Sequence, residues 1–149
     1  MDSIDCPHKV QITIACRSLV DVDGPADKSD PYCVVYFKAE KDKKWTKLGK
    51  TEIMMNELNP DFDKHFDINY KFERNQIIKI EVFDYDDNDP DDFIGNFQCE
   101  LNKILTAHNQ TVKGVLTMGE KRKESRGKIF VTGHSVEESN NVAKMELHC

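Results

Sequence analysis

Long apolar runs are missing from this chain of 149 residues, and its N-terminus, MDSIDCPHK, lacks the apolar stretch of a secretory signal. A membrane span is not signalled, and the chain is expected in the cytoplasm. Cysteine is sparse. The five (Cys6, Cys16, Cys33, Cys99 and Cys149) are odd in number, scattered and never spaced C-x-x-C, so neither a disulfide framework nor a zinc site is signalled. Small buried thiols in strands are the expected reading. There is no internal repeat and no glycine-rich nucleotide-binding motif. Histidines His8, His65, His108, His134 and His148 are dispersed, and no Ser, His and Asp order or G-x-S-x-G elbow points to hydrolysis. No enzymatic activity is expected, nucleic acid is not among the expected partners, and the chain is expected to be a monomer.

What is present suits one folded domain with its own core: 38% hydrophobic and 32% charged residues, with 8 Phe, 4 Tyr and 1 Trp. Strand-like segments rich in β-branched or aromatic residues, bounded by Gly, Pro, Asn or Asp, recur at 8–16, 31–37, 45–53, 65–72, 76–84, 93–101, 111–118 and 127–135. Val10, Ile12 and Ile14 alternate with Gln11 and Thr13, the period of two of a half-buried strand. Ile78, Ile80 and Val82 repeat it around Lys79 and Glu81. Only LNKILTAH, residues 101–108, has helical spacing. The predicted fold class is all-β, an eight-stranded antiparallel β-sandwich with one short helix. The domain is expected to span 1–136. Residues 137–149 form a polar linker followed by a new alternating segment, either a tail or the first strand of a following domain.

Charge is distributed unevenly. Ten of the 27 acidic residues fall in two short stretches, and all ten are Asp. The first holds Asp21, Asp23, Asp27 and Asp30; the second holds Asp84, Asp86, Asp87, Asp89, Asp91 and Asp92. Outside them 17 acids face 21 bases, so the acidity is local and would repel an anionic partner until neutralised. Crowded carboxylates repel one another, and a hard divalent cation relieves that cost. Both stretches adjoin predicted strands, which makes them loops that can converge at one end of a sandwich. Calcium takes about six to eight oxygens at about 2.3–2.6 Å in irregular geometry, and suits such loops better than magnesium does. An EF-hand starting at Asp84 fails: Asp89 stands where the turn needs Gly, Gly95 where a bidentate Glu is needed, and the flanks are strands. One acidic run is more often a solvated loop. Two all-Asp runs at strand junctions shift the balance toward a metal site.

Three motifs in order carry a family resemblance: SDPYCVVYF, then NELNPDFDKHF, then EVFDYD followed by DDFIGNF. They resemble the hallmarks of the C2 domain, a calcium-dependent phospholipid-binding β-sandwich, over residues 8–136. The KSDP, KTEI and DFIG segments and the Asn-rich link look most like the N-terminal C2 domain of a copine. Entry at KVQITIAC and closure on GKIFVTGHS are similar to the second, circularly permuted topology of that fold. The resemblance implies that Ca2+ is held by Asp23 and Asp30 in the first loop and by Asp84, Asp86 and Asp92 in the third. Asp89 would be auxiliary, and Val22 and Tyr85 would contribute backbone carbonyls. Asp23 and Asp30 are one residue further apart than the family spacing, which makes Asp21 an alternative to Asp23 and leaves Asp27 a further candidate. Asp87 and Asp91 are expected to face solvent. The implied activity is a peripheral module recruited to anionic, phosphatidylserine-like membranes when about two to three calcium ions bridge the loops to lipid headgroups.

Gly24, Pro25 and Asn88 at the loop tips imply shallow, salt-sensitive docking. Lys28, Lys47, Lys50 and Trp45 are lipid-binding candidates, weighed against a solvated lysine edge that discourages aggregation. Glu52 stands where some lipid-binding relatives carry lysine. Asn59 and Pro60 are expected to shape a turn. The alternative functions are a calcium-independent protein-protein interaction domain on the same fold and a metal-dependent phosphoesterase, for which the loops offer no histidine partner.

Overall fold

The computed structural model describes residues 8–21, 28–71 and 74–136, the side chain of His8 excepted. Strands β1 (His8–Arg17), β4 (Phe66–Tyr70), β7 (Thr111–Val115) and β8 (Lys128–Val136) form one antiparallel sheet in the order β4-β1-β8-β7. Strands β2 (Pro31–Ala39), β3 (Thr46–Lys50), β5 (Gln76–Asp84) and β6 (Asp92–Glu100) form the other, in the order β3-β2-β5-β6. One helix, α1 (Leu101–Thr106), turns Leu101 and Ile104 into the core and is followed by a 3-10 turn over His108–Gln110. The eight-stranded antiparallel sandwich with one short helix is therefore the fold expected from the sequence.

The differences lie at strand ends. The 45–53 segment keeps only Thr46–Lys50, with a register shift against β2 inside it, between Val35 and Tyr36. Beyond it Thr51 still donates its N–H to the Cys33 carbonyl at 2.9 Å and accepts the Cys33 N–H on its hydroxyl at 2.8 Å before the chain turns away. Residues 137–149 lie outside the described residues.

Alternation selects the inner faces. Val10, Ile12, Ile14 and Cys16 of β1 and Ile78, Ile80 and Val82 of β5 are buried against Ile94, Ile129 and Val131. Each fully buried aliphatic side chain contributes about 1.5–3 kcal/mol. Cys33 joins this core. Burial, and next the neighbouring Cys16 thiol, hold the Cys33 thiol well above its ordinary pKa, which makes it a packing atom rather than a nucleophile. Burial likewise pushes Cys99 up to about 11. Cys6 and Cys149 lie outside the described residues.

Register decides where the loops meet. Pro31 pairs with Asp84 and Asp84 with Asp92, so β2 begins, β5 ends and β6 begins at one pole. In the other sheet Arg17 faces Lys128, and backbone bonds join the two sheets' loops there: Leu19 N–H to the Leu58 carbonyl at 3.0 Å and Val20 N–H to the Arg126 carbonyl at 3.1 Å. The connections 51–65, 85–91 and 116–127 share this pole with the described ends, 18–21 and 28–30, of the first connection; 40–45, the helical 101–110 and residues 71, 74 and 75 share the other. Gly95, the glycine of DFIG, is needed for close approach: a Cβ there would lie 3.0 Å from Leu116 Cβ and 3.2 Å from the Thr117 carbonyl oxygen. Its absence lets the next residue, Asn96, donate its N–H to Thr117 at 2.8 Å.

Candidate functional site

The second aspartate stretch is a folded loop with internal bonding. Asp84, 1% exposed at the end of β5, accepts the backbone N–H of Asp30 on Oδ1 at 2.8 Å, and the Asp30 carbonyl accepts the Tyr85 N–H at 2.9 Å. The two acidic loops are thus stitched together across the 54 residues that separate them. Asp86 is half-buried, and its Oδ1 accepts the N–H groups of Asn88 at 2.9 Å and Asp89 at 3.1 Å, an Asx turn that closes the loop. Asp87, Asp89 and Asp92 are exposed.

Asp91 departs from the expectation that it faces solvent. It is half-buried, its Oδ1 accepting the Asp86 N–H at 3.0 Å and its Oδ2 accepting the Tyr32 hydroxyl. The cause is an aromatic row across three neighbouring strands. Tyr32 stacks on Phe83 with ring centroids 5.6 Å apart, and Phe83 meets Phe93 at 5.5 Å, which brings the phenol under the loop. Burial, and next the bond to Asp91, hold the Tyr32 hydroxyl well above its ordinary pKa, so it remains a donor across physiological pH. Tyr32 falls in the strand predicted over 31–37, and the sequence carried no signal for a partner 59 residues away.

In the first loop Asp30 is half-buried and its Oδ1 accepts the Asn56 N–H at 2.7 Å. Asp21 is also half-buried, and its Oδ1 is sealed from solvent with no hydrogen-bond partner among the described residues. A sealed carboxylate oxygen without a donor is costly unless a cation approaches it. Val22, Asp23 and Asp27, like the tips Gly24 and Pro25, lie outside the described residues. Among the described residues no three His, Cys, Asp or Glu side chains converge into a finished ion cage. The donor set is nonetheless carboxylate oxygen on both walls, which together with the orphaned Asp21 oxygen fits a calcium ion.

The middle connection braces the pole. Asn59, in the expected turn, accepts the Ser18 N–H on Oδ1 at 2.9 Å, and Arg17 donates to Asp61 Oδ1 at 2.8 Å. Glu52 accepts the N–H groups of Asp63 at 2.6 Å and Lys64 at 3.2 Å. Burial raises its pKa, but these backbone bonds outweigh it and leave the carboxyl below its ordinary value. Glu52 is therefore a loop clasp. Met55, 63% exposed, directly precedes the Asn56 that binds Asp30. It carried no signal in the sequence pattern.

Among the lysine-edge candidates, Lys28, Lys47 and Lys50 are exposed, and Lys50 Nζ lies 5.7 Å from the Tyr32 ring centroid. Trp45 is half-buried, with Lys38 Nζ at 5.1 Å and Lys79 Nζ at 4.6 Å from its ring. It is clasped to the sheet rather than held out as a free anchor.

Fold and geometry together define a β-sandwich whose two acidic loops gather at one pole. The chain belongs to the C2 domain family, which its residues 8–118 match. It is similar to Copine-A of Dictyostelium discoideum, 37% identical over 141 residues that make up 93% of this chain and 22% of that protein. It is also similar to nicotinic receptor-associated protein 1 of Caenorhabditis elegans, 37% identical over 126 residues, 70% of this chain and 20% of that protein. Among solved structures, BON1-C2B superposes with a TM-score of 0.66 at 26% identity, over 90% of this chain and 95% of that one. The chain spans about a fifth of the length of the curated relatives it matches. Membership of the C2 family supports a membrane-targeting, lipid-binding module, and no helix of the described residues is long and apolar enough to cross a membrane.

Proposed function

We propose that this domain is a non-enzymatic, calcium-dependent module that docks on anionic phospholipid surfaces through the aspartate pole. The observation that carries the reading is the stitching of Asp30 to Asp84 by a bond from the Asp30 N–H to the Asp84 carboxylate, which makes one acidic face out of two distant loops. Asp30, Asp84, Asp86 and Asp92, with Asp21 or Asp23 and with Asp89 as auxiliary, are the residues that would hold the ion; Asp27 and the carbonyls of Val22 and Tyr85 are further candidates. Bound calcium supplies positive charge and open coordination positions for lipid phosphate or carboxylate oxygens. The chain's own share is preorganisation. The Tyr32 to Asp91 bond and the Asx turn at Asp86 hold the third loop in shape, so fewer residues have to be ordered on binding. Without neutralisation, the same carboxylates repel a phosphatidylserine surface. The cytoplasmic side of a membrane, recruited to as calcium rises, is the proposed place of action.

Met55 adds one exposed apolar side chain beside Asp30, a small contribution next to the charge. Docking is therefore expected to weaken at least roughly tenfold in molar salt, where the Debye length falls from about 10 Å to about 3 Å. Vesicle co-sedimentation at fixed free calcium measures this. Binding undiminished by salt would mean that apolar insertion, not electrostatics, dominates.

A further inference from the structure

The fourth connection at the aspartate pole carries charge of the opposite sign. Between Gly119 and Arg126 the chain holds Lys121, Arg122, Lys123 and Arg126 against only two carboxylates, Glu120 and Glu124. The segment opens on a tight turn, with the Arg122 N–H donating to the Gly119 carbonyl at 3.2 Å. Its root is fixed on both sides. The Arg126 carbonyl accepts the Val20 N–H at 3.1 Å, and the Arg126 Nε donates to the Ile94 carbonyl at 2.8 Å. Gly127, at φ +138°, lies so close to Leu19 that a Cβ would meet its side chain at 2.9 Å. Val20 directly precedes Asp21, and Ile94 follows Asp92 by two positions, so the root of this hairpin sits between the two aspartate walls.

Arg126 is occupied by that anchoring. Lys121, Arg122 and Lys123 are exposed, and none of them is ion-paired with a described residue. Their charge is thus not paired with the described aspartates.

We propose that this hairpin is a calcium-independent contact for an anionic lipid surface, a second foothold beside the aspartate loops. The inference rests on the reading of this pole as the lipid-facing end. Each basic residue near an anionic membrane strengthens association by roughly fivefold, and three on one anchored turn act together. An extended surface suits them better than a compact anion. A small anion close to the hairpin also meets the field of the nearby carboxylates, whereas a lipid surface presents many phosphates and satisfies the hairpin without entering the acidic loops. Without calcium, the hairpin attracts while the aspartates repel, and the balance is a weak, salt-sensitive association.

The test is co-sedimentation of the chain with phosphatidylserine-containing and phosphatidylcholine-only vesicles at low salt, in chelator and in calcium. The variant Lys121→Gln, Arg122→Gln, Lys123→Gln is compared with Lys41→Gln, Lys43→Gln, Lys44→Gln, an equal charge change on exposed residues of the opposite pole. Thermal unfolding checks that both are folded. In chelator the hairpin variant is expected to lose anionic-vesicle binding by roughly tenfold or more, and the opposite-pole variant to stay within about twofold of the parent. Equal loss by both variants would overturn the proposal, since net charge alone would then govern. No loss by the hairpin variant, or no chelator binding by the parent, would overturn it as well. The calcium reading is scored separately, by the parent's gain on adding calcium. A chelator defect in the hairpin variant without that gain upholds the hairpin and removes the calcium site; the gain without the defect does the reverse.

Discussion

Replacing Asp86 or Asp84 by Asn is expected to reduce calcium-dependent association with phosphatidylserine vesicles by on the order of 100-fold, with the fold retained. The amide is isosteric and keeps an acceptor oxygen. In Asp86→Asn that oxygen can still receive the N–H groups of Asn88 and Asp89, and in Asp84→Asn it can still receive the Asp30 N–H. What each variant removes is one negative charge from an oxygen site whose affinity follows its carboxylate count. Asp87→Asn is the matched control, since Asp87 is exposed and makes none of the bonds that shape the loop. It should bind within about threefold of the parent, as a rim charge does. Co-sedimentation across free calcium separates the three. Equal calcium-stimulated binding by the parent and the Asp84 and Asp86 variants would sink the proposed site.

The largest stability effect is expected from Ile80→Ala, a loss of about 3–5 kcal/mol. Ile80 has no exposed surface and occupies the middle of β5, with Val35 of β2 and Phe97 of β6 as its register partners on either side. A strand bonded on both edges has little freedom to collapse into the cavity that truncation leaves. For a domain of this size the thermal midpoint should fall by roughly 6–20 °C, at about 2–4 °C for each kcal/mol. Val115→Ala, on a half-exposed side chain of edge strand β7, should cost less than about 1 kcal/mol. A shift for Ile80→Ala as small as that for Val115→Ala would place the core elsewhere.

Much of the fold was legible because its signal is local. The alternation of Val10, Ile12 and Ile14, and of Ile78, Ile80 and Val82, depends only on the pleat, and the structure buries these residues. Strand ends were read less well: beyond Lys50 the chain keeps only the Thr51 bonds to Cys33 before it turns away, and the apolar pattern of the 45–53 segment does not record that. At the site, clustering identified the acidic loops and spacing nominated their members. Partnership across the chain was invisible. Asp91 looks like surplus charge until Tyr32 is folded beneath it, and Glu52 looks like a missing lysine until Asp63 and Lys64 fold back onto it. The choice between Asp21 and Asp23 is sharpened from one side only: Asp21 turns an unpartnered oxygen inward, while Asp23 lies outside the described residues.

The measurement that bears most directly on the central claim is the partition of the unmodified chain onto phosphatidylserine-containing vesicles across free calcium, with phosphatidylcholine-only vesicles alongside. Neutralisation of the aspartate pole predicts a saturable rise with calcium on the anionic vesicles and none on the neutral ones. Anionic-vesicle binding that stays constant from chelator to saturating calcium would contradict it and leave the calcium-independent contact of the 119–126 hairpin as the account of that binding.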